Sequence, residues 1–192
     1  MIYLRISLNF LWAYCVFDDI IEHCGKESLR YAETFLSPLI NDLCHPIGEL
    51  RQATAYGVGV LAKASAENKL FGSAYDAALN TASQNLKKSI DEGIKLRKQD
   101  DIANKDNEDD FVGDFEVDPW ENSVSAFGKI LRYRSDILTM EDWFSCWMNW
   151  LDEAGGICSD NEEAVATMEW LNGKSLSLGR KSQSMNFFHQ KR

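Results

Sequence analysis

Two interleaved sets of helix-period segments, each recurring every 41 to 42 residues, constrain this 192-residue chain more than any other feature. Apolar residues return at three- and four-residue steps along segment after segment, the spacing that places them on one face of a helix. Leu29, Ala32, Phe35, Leu36, Leu39, Ile40 and Leu43 make one stripe, and Leu50, Thr54, Gly57, Leu61 and Ala64 make the next. Phe71, Tyr75, Ala78, Ala82, Leu86 and Ile90 follow, then Trp120, Val124, Phe127 and Leu131. Met140, Phe144, Trp147 and Leu151 form a fifth stripe, widened by Trp143 and Trp150, and Ala164, Met168 and Leu171 a sixth. Taken alternately, one set starts near Ser28, Lys69 and Met140, and the other near Glu49, Pro119 and Asn161. The spacings are 41 and 71 in the first set and 70 and 42 in the second. One period, with a surplus of nearly thirty residues inside the middle unit, satisfies both sets.

A period of this length with two helices per unit is the signature of a HEAT array. The predicted fold is therefore all-α: a HEAT-repeat (armadillo-like) right-handed α-solenoid of about three helix pairs plus one leading helix. The units fall at 1–25 (leading helix), 26–66, 67–136 with an insert at 93–118, and 137–173, followed by a basic tail at 174–192. Boundary chemistry agrees. Gly25 suits the left-handed position just past a helix end, Pro46 closes the second helix, and Ser159-Asp160-Asn161-Glu162 reads as a capping box. Pro38 lies inside a helical stripe and predicts a kink there. Arg51–Gly59 and Trp120–Gly128 superpose at an offset of 69, with small residues at Ala53, Ala55, Gly57, Ser123 and Ala126 that would let helices approach closely.

Charge is uneven. The net charge is −10, yet Asp100 to Asp118 alone holds nine acids against Lys105. The tail from Lys174 carries Lys174, Arg180, Lys181, Lys191 and Arg192 and no acid. An acidic body argues against nucleic acid as the main partner, because phosphate binding needs a cationic face; basic proteins or peptides are the natural complement. Cys15, Cys24, Cys44, Cys146 and Cys158 are odd in number and follow no framework spacing, which points to a reducing compartment, cytoplasm and nucleus. The apolar run Met1–Phe17 is broken by Arg5 and Asn9, closed by Asp18 and Asp19, and shorter than the roughly 20 residues of a membrane span. It is expected to be a buried helix rather than a leader or a membrane segment.

Three stretches carry a resemblance. Tyr14-Cys-Val-Phe-Asp-Asp-Ile-Ile-Glu-His-Cys-Gly25, Arg30-Tyr-Ala-Glu-Thr-Phe-Leu36 and Leu50-Arg-Gln-Ala-Thr-Ala-Tyr-Gly-Val-Gly-Val-Leu61 resemble importin-β (karyopherin-β) nuclear transport receptors. The nearest likeness is to the C-terminal HEAT repeats of the importin beta-3 branch. Glu121–Ile130, Trp147–Leu151 and Asn161–Val165 continue it in the same order, so the likeness spans roughly Ala13 to Leu171. The resemblance implies a segment of a receptor that carries cargo proteins with basic import signals and binds Phe-Gly nucleoporins. It also implies that the Ran-GTP site, which lies in the N-terminal repeats of such receptors, is missing. Met1–Trp12, the insert and the residues after Asn172 depart from the family pattern. The alternatives are a generic HEAT scaffold of a cytosolic assembly, or a truncated product without function.

Candidate binding residues come from two places. Asp106, Glu108, Asp109, Asp110, Asp114 and Glu116 could form an acidic arm for basic cargo signals, with Phe111, Phe115 and Trp120 as apolar anchors. Read plainly, such a run is only a solvated segment. As a calcium loop it fails, since Phe111 and Val117 occupy the positions that require glycine and glutamate. Trp143 and Trp147 could offer rings to Phe-Gly motifs, although a tryptophan stripe is ordinarily core. No catalytic residue, cofactor or metal is expected. His23 and Cys24 diverge by about 100° on a helix, and no Cys/His set has zinc spacing.

Overall fold

Gly25 adopts φ +66° and stops the first helix, as its sequence position predicts. In the computed structural model, residues 2–70, 72–103, 117–153, 165–170 and 173 are described. They form α1 (Ile2–His23), a 3-10 turn at Gly25–Ser28, α2 (Leu29–Asp42), α3 (Gly48–Glu67), α4 (Ser73–Ala103), α5 (Val117–Tyr133), a second 3-10 turn at Ser135–Ile137, and α6 (Met140–Glu153). A further helical stretch covers 165–170. Among the described residues there is no strand, and the chain is all-α.

The helices sort into two layers. α3 packs between α1 and α5 in one layer, and α4 contacts α2 and α6 in the other. Within the pairs, α2 contacts α3 and α4 contacts α5. Such packing joins each stripe to two partners, one inside its pair and one along its layer, so a single core runs through the molecule. Of the stripe positions whose side chains are described, nearly all are buried; Phe35, Ile40 and Phe144 are half-buried against the same core.

Two details differ from the sequence reading. The insert expected at 93–118 does not begin at Gly93, because α4 continues as helix to Ala103. Ile94 extends the stripe of Ile90 by one turn and packs against the core, and Lys95 to Ala103 contains no glycine or proline to stop the helix. Pro38 lies inside α2, as its place in the stripe predicts. The paired glycines meet different neighbours: a Cβ on Gly59 would lie 3.4 Å from Ala126 Cα of α5, whereas one on Gly128 would lie 3.1 Å from Trp147 Nε1 of α6. The expected capping box at 159–162 and the tail at 174–192 lie outside the described residues.

One end-capping device carries no glycine. α3 closes with Lys69 at φ +56°, where Lys69 N–H donates to Ala66 O at 3.1 Å and Leu70 N–H to Ser65 O at 2.8 Å. These are the two bonds of a Schellman motif, here with lysine in the left-handed position.

Candidate functional site

Asp106, Glu108, Asp109, Asp110, Asp114 and Glu116 all lie outside the described residues. The structure fixes where their segment departs and returns, at Ala103 of α4 and Val117 of α5. Close to the return lies a cavity of about 280 Å³, lined by His45, Arg51, Glu92, Leu96, Pro119 and Trp120 among others. Three of its polar side chains are engaged in local structure. Arg51 Nη1 donates to the carbonyls of His45 at 2.7 Å and Pro46 at 3.0 Å, and His45 Nδ1 accepts from Ile47 N–H at 3.1 Å. Trp120 Nε1 donates to Ile90 O at 3.2 Å, and the Cδ1 edge of its ring is packed against Gly93. Trp120 is therefore a wall of the fold, not a free anchor.

Trp143 and Trp147 belong to the core. Trp147 is 1% exposed and Trp143 9%. Phe127 gathers the group, with its ring centroid 5.2 Å from Trp143 and 4.9 Å edge-on from Trp150. Lys87 Nζ sits 5.0 Å from the Trp143 ring centre, and Trp150 Nε1 donates to Asp91 Oδ1 at 3.1 Å. Trp147 lies on Gly128 with its Nε1 unpartnered. In this arrangement neither ring presents an open face to a Phe-Gly motif, and the core alternative describes both. The physical reason is spacing: residues 143, 147 and 150 fall on the side of α6 that α5 covers.

The surface that emerges lies elsewhere, across the α1, α3 and α5 layer. Tyr56 of α3, well exposed, donates its hydroxyl to Glu22 of α1 at 2.7 Å. Lys129 of α5 places Nζ 5.2 Å from the centre of the same ring. Glu22, Tyr56 and Lys129 thus form a line of contacts over three successive helices of one layer. Burial and the Glu22 hydrogen bond raise the Tyr56 hydroxyl, in that order, to about 12, so it remains a donor at neutral pH. Beside this line sits Asp18, 3% exposed, its Oδ1 without a hydrogen-bond partner. Burial, then Asp19 and Glu22, push its carboxyl up to about 8. On the outer side of α1, Trp12 (69% exposed), Val16 and Ile20 form an apolar stripe at four-residue spacing.

Sequence reasoning missed this face because Asp18, Glu22, Tyr56 and Lys129 come from three helices distant in the chain. The available signal was Tyr56, an aromatic standing out of phase with the buried stripe of α3. Among the described residues, no cluster of three His, Cys, Asp or Glu side chains could hold a metal ion. No described helix is long and apolar enough to cross a membrane.

No protein-family model matches this chain.

Proposed function

We propose that the chain is a HEAT-repeat segment of an importin-β-type nuclear transport receptor, a right-handed solenoid that binds proteins through side chains of its α1, α3 and α5 layer, Glu22, Tyr56 and Lys129 among them. The observation carrying this reading is the order of the layers, in which each helix contacts the next but one in sequence. A stack of this kind works by surface, because its exposed side chains come from successive units and can be varied independently of the core. The motifs from Tyr14 to Val165 supply the family, and cargo proteins with basic signals are the partners it suggests. Residence in cytoplasm and nucleus belongs to the same proposal.

A second reading, a scaffold in some other protein assembly, is favoured by one observation. Burial of Trp143 and Trp147 leaves the nucleoporin contact without its expected rings. Fluorescence anisotropy of the full chain with a labelled Phe-Gly repeat peptide and a labelled lysine-rich import-signal peptide separates the two. Saturable binding of both is expected of a transport receptor, and Tyr56→Ala should weaken the basic peptide severalfold. Binding of neither peptide would leave the scaffold.

A further inference from the structure

Asp18 is the buried acid on α1 to which the layer contacts assign no function. Its Oδ1 is packed so tightly on Gly57 of α3 that a Cβ there would collide with it, and Leu39 of α2 stands 3.1 Å from the same point. The oxygen is enclosed by backbone and hydrocarbon, with no hydrogen-bond donor. A charged carboxylate is disfavoured in such a place, and a neutral one is tolerated.

The surrounding charges act in the same direction. On α1 itself the neighbours are Asp19 and Glu22, both negative. From α3 comes Tyr56, already donating to Glu22. From α2 comes Asp42, which accepts from Tyr14 hydroxyl at 2.6 Å. Lys129 of α5 reaches this face, but over the Tyr56 ring.

We propose that the Asp18–Gly57 contact is a proton-operated latch, which fastens α1 to α3 and α2 while the Asp18 carboxyl is neutral and lets α1 go as that carboxyl ionises. α1 is the element suited to such control. Among the described residues it contacts α3 along the layer and exposes Trp12, Val16 and Ile20 away from the core.

The sign follows from the two states. Docked, the carboxyl keeps its proton up to about pH 8; released, it returns toward the ordinary 3.8. Between those values the docked form holds a proton that the released form has lost, so docking weakens as pH rises, by at most about tenfold per unit. Below about pH 4 and above about pH 8 the equilibrium is flat. The latch is thus tight in acid and loose in mild alkali, the reverse of an ordinary surface carboxylate.

Hydrogen exchange of the full chain between pH 5 and 9, corrected for the intrinsic pH dependence of exchange, tests this. Protection of the α1 amides in the wild type should fall severalfold per unit up to about pH 8 and then level, while α5 stays unchanged. In Asp18→Asn, a neutral side chain of the same shape, α1 should keep high protection with no such slope. Asp19→Asn, an exposed change that leaves the packing intact, should move the levelling point to lower pH. A wild-type α1 without the slope, the same slope in Asp18→Asn, or an unmoved levelling point in Asp19→Asn would each overturn the proposal.

Discussion

Arg134 is fully buried, yet every hydrogen-bonding arm of its guanidinium is used. Nη1 donates to Ser65 Oγ at 3.1 Å, at the end of α3, and Nε and Nη2 hold Asp136 at 3.0 Å each. Nη2 also pairs with Asp76 in the first turn of α4. One side chain therefore ties the ends of three helices, which a planar fork can do and a point charge cannot. Arg134→Lys should lower stability by about 2–3 kcal/mol, read as a shift in denaturant midpoint at constant slope. The Arg134 hydrogen bond also holds the Asp136 carboxyl below its usual value. That contribution is complete above about pH 4 and lost as the medium becomes more acidic. Lys69 illustrates the opposite economy. Its left-handed backbone costs roughly 1 kcal/mol in a non-glycine residue, so Lys69→Gly should raise stability by about 0.5–1 kcal/mol in thermal melts, less what glycine adds to unfolded-chain entropy.

At the scale of elements, close approach outweighs propensity. Gly93 lies in the interior of α4, where helix propensity alone would favour alanine by roughly 1 kcal/mol. Against it lies the Trp120 indole, near enough that a Cβ would collide with the ring, while Nε1 is fixed on Ile90 O. Gly93→Ala should therefore destabilise by about 1–3 kcal/mol, since overpacking and the strained indole bond exceed the propensity gain; urea unfolding would measure it. A stabilised variant would show that α4 and α5 have room to separate. The same element shows how far the sequence was legible. Tyr75, Ala78, Ala82, Leu86 and Ile90 announced α4 and its buried face, because burial and periodicity are local in the chain. Its extension to Ala103 was hidden by the charges that begin the acidic stretch, which read as loop. The Gly93–Trp120 contact and the Glu22–Tyr56–Lys129 line were hidden for a different reason. They join residues whose proximity only the packing of separate helices creates.

The whole molecule is a stack whose charge is concentrated in one connection. Residues 104–116 hold six acids and one base, and their removal takes the net charge from −10 to −5. The described core draws its buried side chains from all six helices, from Leu138 and from Met168. Deletion must respect the structure, because removing 93–118 entire would also take away the Gly93 seat and Trp120's first helical turn. Replacing 104–116 by a short glycine–serine linker leaves both in place and shortens a connection at small entropic consequence, since closure cost varies only slowly with length. The thermal midpoint should therefore move by no more than about 2 °C, corresponding to well under 1 kcal/mol for a domain of this size. Binding of a lysine-rich peptide distinguishes the two surfaces that could attract it. With the acidic segment as the receptor, deletion should abolish binding together with its dependence on salt. With the α1–α3–α5 face as the receptor, affinity should fall only severalfold, through the weaker long-range field of a less negative molecule, and the remaining binding should stay sensitive to Tyr56→Ala. An affinity unchanged by the deletion would remove the acidic arm from the binding function altogether.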